Sequence, residues 1–461
     1  MESPTPRSLG APRSITSLLG AAKIGSHTTL AEVPRFLARN RKCIKVALAV
    51  ALALLGTWAL SRLYEPGRKL EKRMMRTLPE ALNVSGGFHS NLQPELRPAI
   101  PVHIQKLFSK KQLQLVALDP VLLRCIATTK CTELQAAESV HIGTWNNDSS
   151  AFLFLSAVLL KDKAWRTQSL SPEATLLRYE YKIGYNKTVL VSVLHASPDK
   201  DFVKIGGLEK PEIVPKAVRR FKEISRHGIT VPEDIDKFIF RWERGRFLEC
   251  RHDLKRRFSS VNPIIKPDHI DALSRLSDIL LESGQVAVLL AGTLLGWYRQ
   301  CGVIPHTSDL DIAVKIAKFN ETFLDFVKSS DEFRILRQIG RKEYGFELSV
   351  NIPGETRMYA DIFYFYKHNS TFEWTTITYE KTRNYRRLRC LFPTISEICT
   401  GDLLGHLFFV PCNALEYIQA MYGKNDWMKQ QADDYVYTGE DRLIIEDGNW
   451  NSNADDILIN F

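Results

Sequence analysis

Asp309 and Asp311 stand two residues apart in the run 308–314, with Leu310, Ile312 and Val314 at the intervening positions. Such alternation is the pattern of a β-strand with one apolar face, so both carboxylates leave the same face. Strand geometry separates them by roughly 6–7 Å at the backbone. From that spacing two acids can converge on one hard cation, at Mg–O distances of about 2.1 Å. Left without a cation, two such acids repel, and burial drives one of them to protonate. A third acid, Asp361, is the lone charge in the apolar and aromatic run 359–366. A buried carboxylate there needs a partner. Arg357 is one candidate, and a shared cation with Asp309 and Asp311 is the sharper reading.

The Asp-x-Asp spacing alone is weak, because it occurs three times. Asp199/Asp201 follows Ser197-Pro198, a turn signal. Asp234/Asp236 follows Pro232-Glu233 and suits the first turn of a helix. Only Asp309/Asp311 opens an apolar strand after a Gly292-Thr293 turn.

The elements that must position these acids can be read outward. Residues 268–282 carry Ile270, Leu273, Leu276, Ile279 and Leu280 on one helical stripe, with Asp268 as a candidate cap and Gly284 as the stop. A strand over 286–291, the Gly292-Thr293 turn and a helix through Arg299 follow. The fold class expected is α/β (α+β). The boundaries read as a cytosolic disordered tail (1–43), a transmembrane anchor (44–64), a stem (65–101), a small accessory α/β domain (102–258) and a catalytic domain (259–461). Within the accessory region 114–118 and 188–194 read as strands, 151–160 as strand or helix, and Asp119-Pro120 as a turn.

The anchor rests on the apolar run 46–60, extended to 44–64, about 31 Å as a helix. Lys45 and Arg62 can snorkel, and Trp58 and Tyr64 suit the interface. Arg35, Arg39, Arg41 and Lys42 precede it, which predicts a cytosolic N-terminus and a type II orientation. The formal charge of +10 is concentrated there: residues 1–73 hold 13 of the 62 Lys and Arg but 4 of the 52 Asp and Glu. The remainder is nearly balanced, which argues for a membrane and against nucleic acid as partner. Five N-x-S/T sequons (Asn83, Asn147, Asn186, Asn320, Asn369) and seven of the eight cysteines lie beyond the anchor. That suits an oxidising lumen. No C-x-x-C or tight Cys/His cluster signals a zinc site.

The series Gly292-Thr293-Leu294-Leu295-Gly296-Trp297-Tyr298-Arg299, Ile304-Pro305 and Asp309-Leu310-Asp311-Ile312 resembles the LicD-type phosphotransferase family, whose domain is nucleotidyltransferase-like. The run 296–301, Phe346-Glu347-Leu348-Ser349, the 361–366 strand, Leu391-Phe392-Pro393 and Val410-Pro411-Cys412 resemble its fukutin branch more closely. The likeness spans about 246–427. The polar, acidic tail after Lys424 departs from it, and the cysteine-rich zinc loop of a related branch is missing. The resemblance implies transfer of ribitol 5-phosphate from CDP-ribitol to a protein-linked O-mannosyl glycan, with CMP released, in the Golgi or endoplasmic reticulum. On that reading Asp309, Asp311 and Asp361 are catalytic and hold Mg2+ or Mn2+. Gly292, Thr293, Arg299 and Lys381 contact the donor phosphates. His306 and Glu347 are candidate supports of the acids, more simply explained as structural, and Trp297 and Tyr298 suit core packing. Another CDP-activated alcohol is an alternative donor. A scaffold that recruits other Golgi glycosyltransferases is the alternative function.

Overall fold

The computed structural model describes residue 100 and residues 102–110, 112–145, 165–168, 178–183, 187–205, 215–258, 263–377, 386–429, 444–449 and 458–460. The expected tail, anchor and stem up to residue 99 lie outside the described residues, as do 151–160, Lys381 and most of the acidic tail. Among the described residues, no helix is long and apolar enough to cross a membrane.

The first part of the described chain begins with helix α1 (Val102–Lys110) and strand β1 (Val116–Ala117). Helices α2 (Pro120–Thr128) and α3 (Thr132–Ala136) follow, then β2 (Ser139–Trp145), β3 (Trp165–Gln168), β4 (Arg178–Ile183) and β5 (Lys187–Leu194). Next come β6 (Phe202–Ile205), β7 (Lys216–Arg219), β8 (Glu223–Arg226), β9 (Ile229–Pro232) and helix α4 (Ile235–Glu243). Seven strands form one sheet in the order β3-β4-β5-β2-β1-β9-β8, and β6 pairs with β7 separately. Asp119 does not make the expected turn. It caps α2, its Oδ1 accepting from the backbone N–H of Val121 at 2.8 Å, with Pro120 in the first helical turn, where its missing N–H costs nothing. Asp234 likewise caps α4, accepting from Lys237 N–H at 2.9 Å.

Helices α5 (His252–Phe258) and α6 (Pro267–Glu282) lead into the second sheet. Ile270, Leu273, Leu276 and Leu280 are buried on α6, and Gly284 follows it at φ +83°. The sheet then takes β10 (Val288–Leu289), helix α7 (Ala291–Gln300), β11 (Asp309–Lys315), helix α8 (Thr322–Ser329), β12 (Ile335–Arg341), β13 (Tyr344–Ile352) and β14 (Met358–Lys367). It continues through β15 (Phe372–Ile377), β16 (Arg386–Pro393), β17 (Ile398–Leu403), β18 (His406–Pro411), helix α9 (Ala414–Tyr422), β19 (Ile444–Asn449) and β20 (Leu458–Asn460). Its main path runs β17-β18-β10-β11-β14-β13-β12-β20, with β15, β16 and β19 continuing from β14. The mixed α/β class is therefore observed, with two large sheets and the β6–β7 pair among the described residues.

The β6–β7 pair and the second sheet are stitched together through the segment that follows α4. Segment 246–250, on the accessory side of the expected boundary at 258, bonds to β17 through Leu248 N–H to Thr400 O and Thr400 N–H to Arg246 O, both 2.8 Å. A disulfide joins Cys250 to Cys301 at the end of α7. Two more join Cys125 to Cys131 and Cys399 to Cys412. The main core lies between the second sheet and α6, α7 and α9. Leu310, Ile312, Leu348, Val350, Ala360, Ile362 and Tyr364 are all buried in it. Each large aliphatic side chain so placed contributes about 1.5–3 kcal/mol.

Candidate active site

Burying the apolar face of β11, β13 and β14 commits their alternate residues to the other face. The register is specific. Asp311 pairs with Asp361 and Asp309 with Tyr359 between the parallel strands β11 and β14. Asp361 pairs in turn with Ser349 on β13, and Ser349 with Arg337 on β12. One polar row, Asp311, Asp361, Ser349 and Arg337, thus crosses four strands, because directly paired residues point to the same side. The structure brings Asp309, Asp311 and Asp361 together, with one carboxylate oxygen of each within 4.8 Å of the others. Asp311 and Asp361 are buried, whereas Asp309 is half-exposed and opens the group to solvent.

Each carboxylate is anchored by the protein through one oxygen. Thr307 Oγ1 donates to Asp309 Oδ1 at 2.8 Å. Gly292 N–H donates to Asp311 Oδ2 at 3.1 Å. Ser349 Oγ donates to Asp361 Oδ1. Anchoring one oxygen leaves the second for a cation. Burial, reinforced by Asp309 and Asp361, pushes the Asp311 carboxyl well above its ordinary range, against the pull of the Gly292 N–H. Burial also raises Asp361, opposed by Ser349 and Arg337. Glu347 is raised too, by burial and then by Asp361. Several acids crowded at low dielectric favour a positive charge among them. Three oxygen donors of this kind fit a hard divalent ion.

Helix α7 brings its N-terminus, the positive end of its dipole, to Asp311. The expected Gly292-Thr293 turn is absent. Both residues lie in the first turn of α7, which starts directly after β10 because Ala291 adopts φ +45°. Thr293 is buried, and its hydroxyl accepts from Asp311 N–H at 2.8 Å, so it positions the acid strand. Gly296 is required by packing: a Cβ there would lie 2.7 Å from Gly302 O. Trp297 is fully buried in the core, and Tyr298 packs between it and Trp427.

Two expectations are redirected. Arg299, expected at a donor phosphate, is 4% exposed and donates to Trp427 O at 2.9 Å and Lys429 O at 3.2 Å. Backbone carbonyls in and just after the 3-10 turn Asp426–Met428 use its fork. The arginine beside Asp361 is Arg337, at 3.7 Å, and not Arg357, which is exposed. On β16, Arg389 lies over the rings of Trp374 and Tyr344. The residues missed by reading the sequence are Arg337, Ser349, Thr307 and Tyr359. Ser349 was open to detection, since Glu347, Ser349 and Asn351 alternate with Leu348, Val350 and Ile352. A cavity lined by Arg219, Arg241, Asp278 and Phe408 is a separate feature where β7 and α4 meet α6 and β18.

Residues 284–413 match a protein-family model described as LicD/FKTN/FKRP, nucleotidyltransferase domain. The matched segment contains all three aspartates and Arg337. An uncharacterized protein of Caenorhabditis elegans is 31% identical over 258 residues, 55% of this chain and 65% of that protein. A second from the same organism is 27% identical over 240 residues, 50% and 62% respectively. Ribitol-5-phosphate transferase FKTN of Homo sapiens is 27% identical over 227 residues, 48% of this chain and 46% of that protein. The chain therefore spans less than two thirds of each of these relatives. It carries a LicD/FKTN/FKRP nucleotidyltransferase domain and is a homologue of ribitol-5-phosphate transferase FKTN over about half its length.

Proposed function

We propose that this protein is a metal-dependent phosphotransferase that moves ribitol 5-phosphate from CDP-ribitol to a hydroxyl of a protein-linked glycan, releasing CMP. The observation that carries the reading is the three-aspartate group on the open face of β11 and β14, within the matched domain. The homologue's name supplies the group transferred, ribitol 5-phosphate.

Asp309, Asp311 and Asp361 would hold Mg2+ or Mn2+, which when bound neutralises donor diphosphate charge. The chain's own residues do the rest. Thr307, Gly292 and Ser349 fix the three carboxylates, so that little reorganisation is left for the reacting complex. Thr293 ties β11 to the start of α7, whose dipole faces the anionic donor. Asp361 has two uses, ligand or acceptor of the glycan hydroxyl's proton at Oδ2, and a general base contributes about 10²–10⁴-fold. The acceptor oxygen forms the new P–O bond as the bond to CMP breaks.

We place the body in the lumen of the secretory pathway beyond an anchor at 44–64. Three disulfides support an oxidising compartment, and the sequons Asn320 and Asn369 are exposed.

The test incubates the full chain, purified in detergent, with CDP-ribitol, CDP-glycerol or CDP-choline, a glycan acceptor and Mn2+. The expected result is acceptor-dependent CMP release, greatest with CDP-ribitol and abolished by Asp309→Ala. No release from any donor, together with rescue of deficient cells by Asp309→Ala, would overturn the enzyme reading in favour of a scaffold.

A further inference from the structure

We propose that Arg337 is the contact for the donor's diphosphate, held over the acids until a divalent ion takes over their charge. The inference rests on the phosphotransferase reading above. Arg337 ends the polar row Asp311, Asp361, Ser349, and its guanidinium forms an ion pair with Asp361. Its contacts with this row and with Glu347 are long. Nη2 stands 3.5 Å from Glu347 Oε1 and 3.7 Å from Asp361 Oδ1, and Nε is 3.2 Å from Ser349 Oγ. Committed arginine pairs in the same molecule are tighter: Arg219 and Arg241 reach Asp278 at 2.6 and 2.5 Å. The Arg337 side chain is 28% exposed.

The charge count explains why such a residue is needed. Three ionised aspartates and a divalent ion leave one negative charge, which repels a diphosphate. Arg337 offsets that charge, and Glu347 beside it adds another only when ionised. An ion on the aspartates also removes the attraction that draws Arg337 toward Asp361. The guanidinium then offers its planar fork to phosphate oxygens, which it matches bidentately. Arg337 and the divalent ion thus compete for the acids in the empty site and cooperate once the nucleotide arrives.

That competition gives the test a sign that a fixed strut lacks. Mn2+ affinity is measured by titration of the full chain, and CDP affinity is measured at saturating Mn2+. Arg337→Ala is expected to bind Mn2+ several-fold tighter and CDP about 10–100-fold more weakly, as fits the loss of a charge-assisted contact. Arg337→Lys, which keeps the charge and loses the fork, should leave Mn2+ affinity near wild type and weaken CDP by a smaller factor. If Arg337→Ala does not fold, the lysine variant decides alone. Weaker Mn2+ binding in either variant, or unchanged CDP binding in both, overturns the proposal. Failure of the wild type to bind Mn2+ at a site lost in Asp311→Asn would instead bring down the metal reading itself.

Discussion

Asp311 is where function and stability pull apart most clearly. It is buried, its neighbours are acids, and its carboxyl is driven toward the protonated form. Asp311→Asn keeps the shape and an acceptor for Gly292 N–H while removing the repulsion. We expect the metal-free protein to gain about 1 kcal/mol, as melting or denaturant curves would register, while stabilisation by Mn2+ disappears and CMP release falls at least 100-fold. A variant less stable without metal would indicate that the charge at 311 is compensated in the fold. The acids themselves were legible because alternation against Leu310, Ile312 and Val314 fixes a face. Arg337 was not, because periodicity assigns faces within a strand but not which strands become neighbours. The side chain that meets Asp361 comes from 24 residues upstream, whereas the nearby Arg357 stays exposed in the preceding turn.

At the scale of elements, the junction of β10 and α7 does the positioning. A strand leads into a helix without a loop, and Ala291 at φ +45° makes that possible. The left-handed region costs a residue with a Cβ roughly 1–2 kcal/mol. Strain of this kind collects at functional sites. Ala291→Gly should therefore leave the melting temperature unchanged or raise it by a few degrees, and Ala291→Val should lower both stability and activity. A large loss in Ala291→Gly would mean that the methyl packs more than the backbone strains. The same junction explains why a Gly-Thr turn was expected and a helical turn found: Gly292 reads as punctuation, and nothing local reveals that its N–H is aimed at Asp311. Helix α6, by contrast, was readable nearly to its ends, since its stripe and Gly284 agree. Asp119-Pro120 was misread because the same pair signals a turn and a capped helix start.

Across the whole described body, the β6–β7 pair meets α6 and the second sheet at a charged clamp. His406 at the start of β18 stands between Asp201 at 2.9 Å and Asp271 at 2.5 Å, beside Arg219, Arg241 and Asp278. Carboxylates at both ring nitrogens call for the doubly protonated imidazolium. The hydrogen bond to Asp201 is the chief cause that raises His406 above its ordinary value of 6.5. Asp201 is lowered, its burial outweighed by His406, Arg219 and the Leu407 N–H together. A raised histidine contributes stability that is full below about pH 6.5 and is lost as pH climbs through its folded value. A lowered aspartate contributes above about pH 3.9 and is lost as pH falls through its folded value. The clamp should hold best between those limits, in mildly acidic conditions, and His406→Phe should flatten the fall in melting temperature above neutrality. An unchanged slope would exclude His406 as its source. The anchor and tail were argued from composition and charge, and the clamp was invisible to that kind of reading because His406 lies 205 residues from Asp201 and 135 from Asp271. The most direct measurement is a crystal of the protein grown with Mn2+ and examined by anomalous scattering. The account predicts an ion coordinated by Asp309, Asp311 and Asp361 together. Manganese bound elsewhere, or an empty trio at saturating Mn2+, would contradict it.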